Sequence, residues 1–434
     1  MSKAKIGCIG AVLLVLGLLF WGLSSLGIVV PIDRIVLIET PGGSIPMRLV
    51  IFDKNDAYII PGDDSFGREG ILRTEDGAIR IVKYDRKDGF VEIEFGSYDS
   101  TLRLEGEFFP RNGAGLSGTW SKNRGDKGIA QLKAVAPNIV SNNWYEPVES
   151  DSPRANFEGR WSVKFESSDE LAIGEFVVWA RKDDVDTGSA QGTFLTTTGD
   201  YRYLAGRVDG DLMRLSTFDG AHAFLFHARM QDDGMIEGDF WSGNWHHETW
   251  TAVRDEDAQL PDAFGQTVIA DEDALDDMVF KNLDGEPTRV LDVLDESGAK
   301  ARIIEIFGTW CPNCSDAGRE LVSLREQYGD DLAVVGLAFE ITEDFERSVT
   351  QVKRHHEHIG TDWPILIAGL SDKDKASIML PVLDKVRSYP TLIFLNEHNE
   401  VQAVYTGFSG PATGDAYTEQ RAHFEALIEG MIGD

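Results

Sequence analysis

A chain of 434 residues, 42% hydrophobic and 10% aromatic, has room for two or three domains with cores of ordinary size. Its 73 Asp and Glu against 41 Lys and Arg leave a net charge of −32, a well-solvated surface that repels phosphate backbones and excludes nucleic acid as a partner. Three cysteines cannot build a disulfide scaffold, and they fall short of a structural zinc site unless histidines join them.

Lys3 and Lys5 precede residues 6–30, a 25-residue run with no charge. About 20 apolar residues span a bilayer as a helix, and a cleaved signal has a shorter apolar region of about 7–15. Residues 1–31 therefore read as an uncleaved transmembrane anchor, with a cleaved signal as the alternative. The flanking lysines would stay in the cytoplasm, which places the remainder in the periplasm or cell exterior, where disulfide chemistry is possible. Cys8 lies too early, ahead of the apolar region, to be a lipidation site.

Residues 35–254 show short alternating runs broken by Gly, Asp and Asn, the pattern of antiparallel strands joined by tight turns. Residues 78–122 resemble residues 201–243. Each stretch holds an Asp-Gly turn, an aromatic–Asp pair (Tyr98-Asp99, Phe218-Asp219) and a closing strand with a tryptophan. Two related β modules, 35–137 and 155–256, are expected as barrels or sandwiches. The Gly159-Arg160-Trp161 opening resembles that of lipocalins. A filled barrel would be a spacer or docking surface, whereas a cavity would bind a ligand. His222, His246 and His247 read as packing or surface residues, because adjacent strand residues point to opposite faces. Residues 258–294, acidic and mixed, read as a linker.

From 302 onward strands alternate with helices, the pattern of an α/β layered domain at 260–434. Strands are expected at 302–308, 332–339, 363–368, 391–395 and 401–406. Helices are expected after Cys314, at 342–359, at 373–386 with an interruption at Pro381, and at 417–432. Cys311-Pro312-Asn313-Cys314 follows the first strand. At a helix start, Pro312 needs no amide donor, and free amides with the helix dipole favour a thiolate at Cys311. Cys314, one turn in, is less accessible but reaches Cys311. A static bond across one turn would close too small a loop to stabilise much, so the pair reads as a redox dithiol.

The strand ending in Trp310-Cys311-Pro312-Asn313-Cys314, together with Tyr389-Pro390-Thr391-Leu392-Ile393-Phe394-Leu395, resembles the thioredoxin fold. Val334-Val335-Gly336-Leu337-Ala338-Phe339-Glu340 is similar to the membrane-tethered TlpA/ResA-like branch. That resemblance implies a thiol-disulfide oxidoreductase without a cofactor or metal. Its partners would be oxidised client proteins such as apocytochrome c, a membrane thiol-electron donor, and the lipid bilayer through residues 6–30. It also implies a cis bond before Pro390, with the Tyr389 backbone offered to substrate, and an aromatic shield at Trp310.

Glu305 lies where thioredoxins carry a buried acid beneath the dithiol. Burial would raise its pKa and suit it to shuttle a proton to or from Cys314, whereas a place at a sheet edge would leave it solvated. The Glu that many TlpA/ResA-like proteins carry three residues after the second cysteine is Ala317 here, so its role is open to Glu305 or Glu340. His355, His356 and His358 sit on a charged helix and read as a solvated face. Residues 407–411 read as a loop near the site. Two other readings remain. A peroxide-reducing redoxin would need a Pro-x-x-x-Thr-x-x-Cys pattern that 305–310 lacks, and a binding protein would need a ligand-sized apolar cavity in a β module.

Overall fold

The computed structural model describes residues 31–61, 71–73, 78–85, 88–96, 98–107, 115–137, 154–181 and 184–433. The expected anchor at 6–30, Cys8 and most of the segment joining the β modules lie outside the described residues. Among the described residues no helix is long and apolar enough to cross a membrane.

Alternation of apolar and polar side chains shapes the first two thirds of the chain. In Phe90–Glu94, and from Ser100 to Leu104 of Ser100–Gly106, every second residue is buried, so each strand gives one face to a core. Among the described residues, nine strands between Ile32 and Ala136 form one antiparallel sheet. Its first strand, Ile32–Thr40, pairs with both Gly43–Asp53 and the last strand, Ile129–Ala136.

The second nine-stranded sheet closes on itself. Gly159–Phe165 pairs with the final strand His246–Arg254, and Ala172–Arg181 pairs with Asp184–Thr196, which in turn reaches Leu204–Asp209. Closure leaves no long exposed edge. The barrel interior is filled: Phe194, Phe226 and Phe240 stack with centroids 4.4–4.6 Å apart, and Trp161 and Trp250 are buried beside them. The two modules also share apolar surface, since Phe218, Ala223 and Leu225 of the barrel join the core of the first sheet. Edge-to-face contacts of Phe218 with Phe95 and Trp120 fix that junction.

The last third is a seven-stranded mixed sheet. Ala301–Phe307 lies at its centre, parallel to Leu332–Glu340 and antiparallel to Thr391–Leu395. Both faces of Ala301–Phe307 and Leu332–Glu340 are covered, so all their residues are buried. Helices Pro312–Tyr328, Phe345–Ile359 and Asp415–Gly433 supply the covering layers.

Two sequence expectations change here. The segment read as a linker adds two short strands, Val279–Lys281 and Pro287–Arg289, and a helix, Val290–Ser297, to this unit. Its Leu275, Met278, Phe280, Leu291 and Leu294 enter the core, and three-residue strands are too short to show a period. The helix expected over 373–386 stops at Met379, two residues before Pro381.

Candidate active site

The site starts from a buried strand that runs into a helix. Ala301–Phe307 ends at the Gly308–Trp310 turn, and the helix begins at Pro312 with Cys311 as its N-cap. Proline at the first position leaves no amide donor wasted. The Cys311 sulfur accepts the Cys314 amide at 3.4 Å and lies 3.5 Å from the Tyr389 carbonyl. The Tyr389–Pro390 bond is cis. Trp310 is held by its indole N–H on the Phe339 carbonyl at 2.9 Å, edge-on to Tyr389.

The two sulfurs, both free thiols here, are electrostatically unequal. A hydrogen bond from the Cys314 thiol lowers the pKa of Cys311 most. Burial opposes this, and the amides of Cys314 and Asn313 and the charge of Arg202 lower it further. Burial pushes Cys314 well above the ordinary thiol range, and the neighbouring Cys311 adds to the rise. Cys314 has no exposed surface, and Cys311 is 8% exposed.

Glu305 lies within the central strand, fully enclosed, and not at a sheet edge. Burial, with Cys311 next in weight, pushes its carboxyl up to about 8. One carboxyl oxygen has no hydrogen-bond partner among the described residues. Glu340, the other acid considered, accepts the Thr309 amide at 3.0 Å and the Thr309 hydroxyl at 2.9 Å. It anchors the turn ahead of Trp310. Ala317 is buried, with no acid in its place.

The β modules reach this site, which the sequence reading did not foresee. The barrel hairpin at 196–200 sits on the cis-proline loop, where the Ser388 hydroxyl donates to the Thr198 carbonyl at 2.8 Å. Asn313, inside the Cys-x-x-Cys motif, donates to the Asp200 carbonyl at 3.5 Å. Asp200 accepts the Gly410 amide at 2.6 Å, so the loop expected near the site docks the barrel. Arg202, half-buried and with φ of 65°, pairs with Asp316 on the dithiol helix and lies 3.6 Å from Asp219. From the first module, the Tyr98 hydroxyl donates to Ser315 at 3.3 Å, and Asp99 pairs with Arg347. The only sequence signal for these contacts was the aromatic–Asp pair repeated in each module.

Among the described residues no group of three or more His, Cys, Asp and Glu is placed to hold a metal ion. His246 and His247 bond separately to Glu248 and Asp239, and His222 bonds to Asp219. His355 departs from expectation. It is buried against Phe307, and desolvation lowers it to about 3. It shares a stripe with Ser348, Val352 and Ile359, the buried side of its helix.

Comparison with known proteins gives two curated relatives. The thioredoxin-like protein YneN of Bacillus subtilis is 30% identical over 131 residues, covering 30% of this chain and 68% of that one. The thiol-disulfide oxidoreductase ResA of Halalkalibacterium halodurans is 31% identical over 131 residues, covering 64% of its length. No family model matches the chain. Similar solved structures include a thioredoxin-family thiol:disulfide interchange protein of Chlorobium tepidum, at 18% identity, TM-score 0.26, and coverage of 36% of this chain and 92% of that one. A DsbF homologue of Corynebacterium diphtheriae has 18% identity, TM-score 0.26, and coverage of 38% and 98%.

Proposed function

Since this chain belongs to the TlpA/ResA-like branch of the thioredoxin superfamily and is a thiol-disulfide oxidoreductase, we propose that it reduces disulfides of extracytoplasmic client proteins while tethered to a membrane by residues 6–30. The observation that carries this reading is the inequality of the two thiols. Cys311 is an acidified N-cap beside the cis-proline loop, and Cys314 is a buried, high-pKa partner above Glu305.

The cycle follows from that inequality. The Cys311 thiolate attacks one sulfur of a client disulfide; that S–S bond breaks, a Cys311–client disulfide forms, and the other client sulfur leaves as a thiolate that takes a proton. Cys314 then loses its proton to the Glu305 carboxylate and attacks the Cys311 sulfur. The client leaves fully reduced, two electrons richer, and the protein holds a Cys311–Cys314 disulfide. Glu305 can hold that proton near neutral pH because its pKa is raised to about 8. A membrane thiol donor would return two electrons and two protons. The Tyr389 backbone, Pro390 and Trp310 form the floor on which the client segment lies. Oxidised secreted proteins, apocytochrome c among them, are the clients this reading favours.

Equilibration of the full chain with glutathione buffers tests the direction. A Cys311–Cys314 potential near about −270 mV supports a reductase, and one near about −120 mV overturns that direction in favour of an oxidant.

A further inference from the structure

Cys311 opens into a cleft of about 930 Å³ shared by all three parts of the molecule. Its floor holds Trp310, Cys311 and Tyr389. One wall is the first β module, with Lys122 and Arg124, and the other is the barrel, with Tyr201, Phe224 and Phe240. Cys311 is only 8% exposed, and the hairpin at 196–200 already occupies one side of the cis-proline loop. A thin, extended substrate can reach the sulfur; a broad protein face cannot.

The charge of the cleft runs against that of the chain. Acids outnumber bases by 73 to 41, yet five bases line the cleft against four acids, and of these bases Lys122, Arg124 and Lys373 have no carboxylate at ion-pair distance among the described residues. The Lys122 ammonium is half-buried and donates to the Ala221 carbonyl. The Arg124 guanidinium lies over the Trp245 ring, 4.6 Å from its centroid. Lys373, on the opposite rim, donates to the Arg387 carbonyl. The acids nearby are engaged: Glu248 with His246 and the Ser167 amide, Asp200 with the Gly410 and Arg202 amides, and Asp372 with the Lys375 amide. Asp126 stands exposed at the open edge. An excess of bases over acids in one cleft of so acidic a chain, set between aromatic walls, favours an anion there.

Building on the thiol-exchange reading above, we propose that the cleft selects an extended client segment whose cysteine is flanked by acidic residues. Carboxylates beside the attacked sulfur would pair with Lys122 and Arg124, and the aromatic wall would take the neighbouring apolar side chains. The β modules would thereby act as the specificity half of the active site.

The test uses the reduced full chain and three short peptide disulfides, identical except for Asp, Gln or Lys on either side of the cysteine, with oxidised glutathione as a small carboxylate-bearing rival. At low salt, kcat/KM should fall in the order Asp, Gln, Lys, with about a tenfold span that shrinks as salt screens the exposed part of the interaction. K122Q and R124Q, singly and together, should pull the Asp-to-Lys ratio toward one. Because the readout is a ratio, a general change in Cys311 reactivity cancels. Equal rates for the three peptides in the unaltered protein would overturn the proposal, as would a ratio that neither salt nor the variants move. Glutathione outpacing the Asp peptide would overturn the polypeptide assignment. If nothing is reduced, the thiol-exchange reading itself fails, which is a separate result from equal rates.

Discussion

A carboxyl group enclosed beneath a thiol pair is costly to ionise, and Glu305 carries that cost. Its pKa lies above the unfolded value, so the folded state binds the extra proton. The penalty is absent below about pH 4.5, accumulates as pH rises, and is complete above about pH 8. Replacing it in E305Q should therefore raise stability at pH 9, on the order of 3–5 kcal/mol, since each tenfold change in a protonation equilibrium is worth about 1.4 kcal/mol. At pH 4 the same replacement should hardly matter. Thermal or urea unfolding at both pH values checks this. In the same variant the release of a trapped client by Cys314 should slow and lose its dependence on pH near 8. Unchanged resolution kinetics would remove Glu305 from the proton path.

Arg202 works from the opposite sign. It lies between Asp316 and Asp219, all three largely enclosed. Burial raises Asp219, but His222 and Arg202 outweigh that and hold it below the usual carboxylate range. R202M would take one charged partner from each of two buried acids, leaving Asp316 with Arg319 and Asp219 with His222, and should cost about 1–3 kcal/mol. It should also move the iodoacetamide profile of Cys311 to higher pH, since Arg202 helps to acidify that thiol. A destabilised variant with an unmoved profile would limit Arg202 to a structural role.

Among the elements, the dithiol helix and the strand before it were legible because their signals are local. A buried apolar run, a tryptophan and a Pro after the first cysteine specify strand, turn and N-cap within a dozen residues. The strands Thr391–Leu395 and Val401–Thr406 lie where their β-branched and aromatic runs predict. Contacts between residues far apart in sequence were not legible. Nothing near Thr198 announces that its carbonyl meets Ser388, and nothing near Tyr98 that it meets Ser315. His355 was misread from its charged neighbours, although its spacing from Val352 and Ile359 carried the correct signal.

The docked hairpin offers its own test. Gly199 has φ of 149°, and a side chain there would run into Asn313 of the Cys-x-x-Cys motif. G199V should lift the hairpin from the dithiol helix, at a cost of about 1–3 kcal/mol. Alkylation of Cys311 should then quicken, because the sulfur loses its cover. An unchanged alkylation rate would mean that the hairpin does not control access.

On the scale of the whole molecule, the β modules and the redox unit line one cleft at the dithiol. Both aromatic–Asp repeats end on the redox unit, Asp99 at Arg347 and Asp219 through Arg202 at Asp316. The filled barrel leaves its interior to packing and turns its outer loops toward the thiols. All of this serves the claim that Cys311 attacks and Cys314 resolves. The most direct measurement is mass spectrometry of the full chain after exposure to a peptide disulfide. C314A should accumulate one peptide bound to Cys311, C311A should accumulate none, and the unaltered chain should end with a Cys311–Cys314 bond and free peptide thiols. A stable peptide adduct on Cys314 in C311A, or none on Cys311 in C314A, would contradict the account.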